Sequence, residues 1–328
     1  MAVVYIREQG SFLRKKGERI AVTKSSQTIF EFPIINVENI VIVGSVQMSS
    51  QVLQMLMNAG IDISYMTLNG KFIGRSQSDN SKNIFLRLAQ YDFYHDKEKR
   101  FDVAKRIVKN KIANQTAIIK NYRWAGKAYD YLNDIKSLEE NLKRVDSQRD
   151  VNSLMGIEGI SSSIYFNAYG QMFTDDIAFD GRNRRPPRDP VNALLSLTYS
   201  FLTNDVSMAL EAEAFEMYLG YLHGIRYGRK SLALDIVEEF RQPVADRLVL
   251  YLFNKRMISS YDFEEETKDG VFLTQDGFKK FCTAYEKWMN NCDEDKDFHK
   301  IIKEQARCLK RAVQNGEEYC PYQWKSGV

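Results

Sequence analysis

Of the 328 residues only three are histidine, three tryptophan and six proline, and the four cysteines (Cys282, Cys292, Cys308, Cys320) all lie beyond residue 280. No two cysteines form a CxxC pair, so neither a zinc site nor a disulfide framework is indicated, and a reducing cytosol is the simplest setting. No apolar run approaches the ~20 residues needed to cross a bilayer, which speaks against a membrane partner. The N-terminal MAVVYIREQG lacks the charged-then-apolar pattern of a secretory signal. Charge of one sign is missing too. The 46 basic and 43 acidic residues leave a net +3, too little by itself to argue for nucleic acid. What remains is a soluble, cytoplasmic protein of ordinary composition, 44% hydrophobic and 27% charged, long enough for a sizeable core and two domains.

The expected fold class is α+β: a small N-terminal β-rich domain (1–75), a linker and first helix (76–95), and a larger all-α domain (96–328). Val3–Ile6, Ser11–Lys15, Arg19–Val22, Thr28–Phe32 and Asn39–Val43 have strand patterning. Ser49 or Ser50 caps a helix through Ala59, and Asp62–Met66 and Lys71–Ile73 flank an Asn69-Gly70 hairpin turn. The first domain reads as a scaffold or dimerisation surface. The polar SQSDN at 76–80 is the linker candidate. Beyond it, apolar spacing predicts helices over 82–95, 101–122, 137–147, 151–173, 190–202 and 205–223, then 275–290 and 296–315. A short hairpin is expected over 261–274 with a turn at Asp269-Gly270, and the tail from Glu317 is expected to be loose. On the 101–122 helix, Lys105, Arg106, Lys109, Lys111, Lys120 and Arg123 form a basic face, either solvated or touching phosphate.

Three stretches carry candidate chemistry. In 218–247, His223 closes an apolar helix-patterned run, a basic connector follows (Arg226, Arg229, Lys230), and the next helix bears Asp235, Glu238 and Glu239. Residues three and four apart share a helix face, so these carboxylates crowd one surface. A divalent cation would turn that repulsion into coordination, since carboxylate oxygens and one imidazole suit Mg²⁺ or Mn²⁺. The plainer alternative is an exposed face with Glu238 near Arg241, and a histidine at a helix C-terminus. Glu158 lies between Gly156 and Gly159 in a helix, where each glycine costs about 1 kcal/mol relative to alanine. Close approach of a helix or ligand to Glu158 would explain the pair; a surface glutamate is the alternative. In FDGRNRRPPRDP, Arg182, Arg184, Arg185 and Arg188 sit beside two prolines that stiffen the loop, an arrangement suited to phosphate. Asp189-Pro190 then caps and starts a helix, a structural role.

Taken in order, these stretches resemble the Cas1 family, the CRISPR adaptation integrase. The matching segments are IEG at 157–159, GRNRRPPRDPVNALLSLTYSFL at 181–202 and YLHGIRYGRKSLALDIVEEFRQPVADRLV at 221–249. The resemblance implies an N-terminal β domain, a helical catalytic domain and a homodimer. Two such dimers would clasp a dimer of the small Cas2 partner in a heterohexamer around double-stranded prespacer DNA. It implies metal ligation by Glu158, His223 and Glu238, with Asp235 at a further acidic catalytic position. The doublet leaves Glu239 as a rival to Glu238. Arg182, Arg184, Arg185 and Arg188, with Arg226, Arg229 and Lys230 on the opposite lip, would hold DNA phosphates. The implied reaction is attack by a prespacer 3′-hydroxyl on a phosphodiester at a repeat boundary of the CRISPR array. The alternatives are a branched-DNA repair nuclease of the same chemistry and a non-catalytic nucleic-acid-binding protein.

Overall fold

The computed structural model describes residues 2–68, 70–78, 83–124, 127–174, 176–183, 186–264, 268, 270–290 and 297–324. The chain divides into two compact units, Met1–Lys82 and Asn83–Val328. The Asn69-Gly70 and Asp269-Gly270 turns and the linker candidate therefore fall partly outside the described residues, and Arg184 and Arg185 wholly so.

The first unit holds two four-stranded sheets. One joins β1 (Ala2–Ile6), β5 (Val37–Val43), β7 (Asp62–Met66) and β8 (Phe72–Ser76) in that order, the first three parallel and β8 antiparallel. Every residue of β5 but Glu38 is buried, as a near-continuous apolar run inside a parallel sheet requires. The other sheet is the meander β2 (Phe12–Lys16), β3 (Arg19–Lys24), β4 (Gln27–Pro33), completed by the short β6 (Gln47–Met48) parallel to β2. The helix α1 (Ser50–Asn58) starts where Ser49 Oγ accepts the Val52 N–H. Leu13 and Ile20 of one sheet, Ile40 and Ile63 of the other, and Val52 and Leu56 of α1 meet in one fully buried cluster.

The second unit is helical, and the α+β reading holds. It comprises α2 (Ile84–His95), α3 (Lys97–Asn121), α4 (Tyr131–Asp146), α5 (Val151–Gly170), α6 (Pro190–Ala212), α7 (Ser231–Val237), α8 (Arg247–Asn254), α9 (Gln275–Asn290) and α10 (Phe298–Asn315). α3 packs against α4 and α5 on one side and meets α7 on another. Asp189 caps α6 by accepting the Asn192 N–H at 2.8 Å, with Pro190 as the first helical residue. The short hairpin pairing is present too, with Phe263 opposite Leu273.

Four expectations are corrected here. The chain forms one helix from 190 to 212 and none at 213–223, so His223 sits in irregular backbone. Ala214 takes φ 75°, its N–H bonds Glu211 O and the Phe215 N–H reaches back to Leu210 O, which closes the helix despite the apolar pattern running on. α7 ends at Val237, so Glu238 and Glu239 stand on a turn; a π-helical segment, Arg241–Asp246, absorbs Pro243. The basic face of α3 is not free: Arg106, Lys109 and Lys120 pair with Asp102, Asp146 and Glu139, and Lys111 is buried. Nor are the described residues of the tail, 317–324, loose, since Tyr319 and Trp324 are buried.

Candidate active site

Asp235, on α7, is fully buried and organises the loop that carries His223. One of its oxygens accepts the N–H groups of Tyr221 and Leu222, the latter at 3.0 Å. The other accepts the His223 N–H at 2.8 Å and lies 2.7 Å from His223 Nδ1. A carboxylate that only accepts fixes the tautomer of the neutral ring: Nδ1 carries the proton and Nε2 is left with the lone pair, as in imidazoles that bind metal with a carboxylate behind them. The loop is held from outside as well. Gln90 of α2 accepts the Glu216 N–H at 2.8 Å and donates to Glu216 O at 3.0 Å, and Arg100 donates to Tyr221 O at 3.2 Å.

Gly220 makes that loop possible. A Cβ there would lie 2.6 Å from His223 O and 2.7 Å from Ser231 Cβ, both parts of the frame that fixes the imidazole. Gly220→Ala is therefore expected to leave the helices folded by circular dichroism while lowering the DNA cleavage that the sequence resemblance implies by about 100-fold, the scale of a 1 Å misplacement. Unchanged cleavage would mean that the loop tolerates the shift.

Glu238 lies beneath the loop with 5% of its side chain exposed. Arg241 approaches one oxygen at 3.2 Å and Lys111 the other at 2.6 Å. Burial opposes its ionisation, but Arg241, Lys111 and His223 together outweigh that and hold the carboxyl down at about 2. From α5, Glu158 reaches the same Lys111 ammonium and accepts Ser162 Oγ at 2.9 Å. Gly156 and Gly159 meet nothing within 4 Å, so no neighbouring helix explains them, and the face around Glu158 is open. Among the described residues no three His, Cys, Asp or Glu side chains already converge on one coordination point. The donor set nevertheless fits a hard divalent cation: two carboxylates are drawn around a single positive charge, with a fixed imidazole electrostatically coupled to one of them.

Residues 4–287 match the family model described as CRISPR associated protein Cas1. The chain belongs to the Cas1 family. It is 34% identical over 292 residues to a CRISPR-associated endonuclease Cas1 of Thermus thermophilus, an alignment covering 88% of this chain and 85% of that protein. A Cas1 endonuclease of Rhodospirillum rubrum is 32% identical over 344 residues, 98% of each. The solved structure of a Cas1 protein from Thermotoga maritima superposes with TM-score 0.84 at 28% identity, covering 99% of this chain and 100% of that one. A casposase bound to its integration product has the same fold, with TM-score 0.84 at 20% identity over 100% and 96% of the two chains.

The adjacent acids of this Cas1-family chain have different environments. Glu239 is fully buried; one oxygen meets the Tyr319 hydroxyl and the other accepts the Tyr322 N–H at 2.9 Å. Burial raises its carboxyl to about 8, although Tyr319 and Tyr322 pull it down. The C-terminal segment that closes over it is bound on several sides. Asn110 donates to Tyr322 O at 2.8 Å, Trp324 N–H donates to Asn114 Oδ1 at 3.0 Å, and the Tyr322 ring stacks on Phe240. Tyr319→Phe should cost about 1–3 kcal/mol in chemical denaturation at pH 7, because it deprives a buried carboxyl of a partner. A cost below 0.5 kcal/mol, roughly the scatter of surface substitutions, would refute that anchoring.

The basic residues divide in the same way. Arg188 and Arg226 are exposed. Arg182 donates to Asn183 O in its own loop and to the first turns of α6, Asn192 Oδ1 at 2.7 Å and Ser196 Oγ at 3.0 Å, with its guanidinium over the Tyr199 ring. Arg229 bonds Gly224 O and Ser231 Oγ, and Lys230 pairs with Glu211 at 3.0 Å. Sequence reasoning missed Lys111 as a site residue. Its signal is that Asn110, Lys111, Asn114 and Gln115 recur at helical spacing among Ile107, Val108, Ile112 and Ile118, so the polar stripe shares a buried face.

Proposed function

We propose that this chain is a metal-dependent DNA endonuclease and integrase of CRISPR adaptation, transferring prespacer 3′-hydroxyl ends to phosphodiesters at repeat boundaries. The observation that carries this reading is the set of buried Glu238 with half-buried Glu158 and His223, gathered by Lys111, Arg241 and Asp235 in a chain of the Cas1 family. Glu158, Glu238 and His223 Nε2 would hold Mg²⁺ or Mn²⁺, which when bound lowers the pKa of a hydroxyl nucleophile and stabilises charge on the phosphorane oxygens.

The chain's own groups prepare that chemistry. In the neutral imidazole Asp235 holds the His223 proton on Nδ1, which leaves Nε2 as the nitrogen able to act as a ligand. Arg241 and Lys111 keep Glu238 ionised in a buried place, where a lone carboxylate would take up a proton. What supports Glu238 over Glu239 as the ligand is that both Glu239 oxygens are occupied by the C-terminal segment. Arg188 and Arg226, exposed and free to reach outward, are suited to positioning phosphates without reading sequence, with Arg184 and Arg185 as further candidates of that loop. The open face of α5 beside Glu158, where Gly156 and Gly159 leave the backbone uncovered, gives a strand access. Double-stranded DNA, a second copy of the chain and a small Cas2 subunit are the partners this function needs. Among the described residues no helix is long and apolar enough to cross a membrane.

The test is strand transfer in Mn²⁺ from a labelled duplex with 3′-hydroxyl ends into a supercoiled plasmid bearing a repeat, with and without Cas2. Wild type should join at repeat ends, and His223→Ala should lose the reaction. Joining that ignores both repeat and Cas2 would identify a branched-DNA repair nuclease instead. Equal signals from wild type and variant would place the active site elsewhere.

A further inference from the structure

Lys111 is a lysine where a helix interior ordinarily has an apolar residue. It projects from α3 with 7% of its side chain exposed, and its ammonium contacts Glu158 Oε1 and, at 2.6 Å, Glu238 Oε2. Those are the two carboxylates assigned above to the divalent cation. The other cation of the cluster is fixed differently. Arg241 grips the opposite oxygen of Glu238, and its guanidinium lies 4.7 Å above the Tyr199 ring, while Tyr199 is itself tied to Asp246. A planar fork stacked on an aromatic ring has little freedom, whereas an ammonium on four methylenes can swing about its stem. Two carboxylates, one mobile cation and one fixed cation make a locally neutral group. A second positive ion bridging the same two oxygens would be repelled by the ammonium at short range.

We propose that Lys111 is the internal counter-ion of this site and competes with the divalent cation for Glu158 and Glu238. Cation entry then displaces the ammonium from between the carboxylates, and departure of the cation returns it. The inference rests on the metal-site reading and adds to it a role for a residue that is no ligand. It accounts for how two carboxylates are held close to each other before a cation arrives: the positive charge between them is covalently supplied by the fold. The same arrangement sets a limit on affinity, because each binding event must first break the lysine's contacts.

The experiment uses the full chain and Mn²⁺ alone, with no DNA. Mn²⁺ affinity is measured by titration calorimetry, and thermal unfolding is followed with and without Mn²⁺, for wild type, Lys111→Met and Glu158→Gln. Without Mn²⁺, Lys111→Met should unfold at a lower temperature than wild type, since its carboxylates have lost their cation. Saturating Mn²⁺ should then raise its midpoint by more than it raises that of wild type, and its Mn²⁺ affinity should be tighter by about tenfold or more. Glu158→Gln should lose Mn²⁺ affinity. If Lys111→Met does not fold even with Mn²⁺, Lys111→Gln, which keeps a hydrogen-bond donor without the charge, supplies the same comparison. Equal or weaker Mn²⁺ binding in the lysine variants, with binding intact in wild type, would overturn the counter-ion role and leave the metal site standing. Binding by none of the proteins, or binding indifferent to Glu158→Gln, would overturn the metal-site reading itself.

Discussion

Glu238→Gln should lower DNA cleavage and joining by on the order of 10²–10³-fold or more, while Glu239→Gln should leave both within a few-fold. The two residues are neighbours in sequence and opposites in environment. Glu238 is kept ionised by Arg241, Lys111 and His223 against the cost of burial, at about 2, and an amide can supply neither its charge nor a second anionic oxygen. Glu239 is raised by burial to about 8, so at neutral pH it is chiefly a neutral acid, which an amide imitates well. A glutamine there can accept the Tyr322 N–H with its oxygen and donate to the Tyr319 hydroxyl with its nitrogen. Linkage gives a second readout. The folded value of Glu239 lies above its ordinary 4.5, so its contribution to stability is complete below about 4.5 and is lost as pH rises through about 8. Denaturation of wild type should show that decline, and Glu239→Gln should flatten it. A folded Glu239→Gln protein as inactive as Glu238→Gln would mean that the doublet has been read the wrong way round.

Why the doublet was ambiguous in sequence is itself physical. Side chains one apart on a helix point about 100° away from each other, so spacing alone favours neither acid as the partner of Asp235. What separates them is the C-terminal segment, and nothing local marks it: Tyr319, Tyr322 and Trp324 are single aromatics in a polar tail, which reads as loose. The contacts that hold them run to Glu239, about 80 positions away, and to Asn110 and Asn114, some 210 positions away. The strands and most helices were legible because their information is local. β5 is an uninterrupted apolar run, Ser49 and Asp189 are caps, and α10 has apolar spacing along its length. The His223 loop misled for the same reason. The apolar residues of 213–223 mimic helical spacing, yet they are buried by a loop pinned to Asp235, Gln90 and Arg100. Arg182 had the composition of a phosphate-binding arm and the contacts of a loop brace. Lys111 counted as one of several basic residues until its helix face was seen to be the inner one.

Asp246→Leu should destabilise the second unit by about 3–5 kcal/mol, the range for removing one member of a buried charge network. Asp246 is fully buried and ends the π-helical segment. Its two oxygens accept the hydroxyls of Tyr199 at 2.5 Å and Tyr165 at 2.9 Å. A leucine would leave both hydroxyls in the core without that acceptor, and would remove a negative charge that acts on Arg241 and Arg182, whose guanidinium groups lie over the Tyr199 ring. Tyr169 should be spared, because its hydroxyl bonds the Asp246 main-chain oxygen at 2.8 Å. Asp246→Asn keeps one acceptor but turns an N–H₂ group toward the other tyrosine, and should cost less, about 1–2 kcal/mol. Burial raises the Asp246 carboxyl to about 6, with Tyr199, Tyr165 and the two arginines opposing. Because the folded value exceeds the ordinary 3.8, part of the wild-type advantage is present below that pH and lost as pH rises through about 6, so Asp246→Asn should fall short by more at pH 4 than at pH 7. Denaturant titrations at both pH values measure this, and an equal shortfall at the two would refute it. The effect reaches the site through Arg241: where the Tyr199 ring loses its anchor, the guanidinium that keeps Glu238 ionised loses its seat, and activity should fall together with stability.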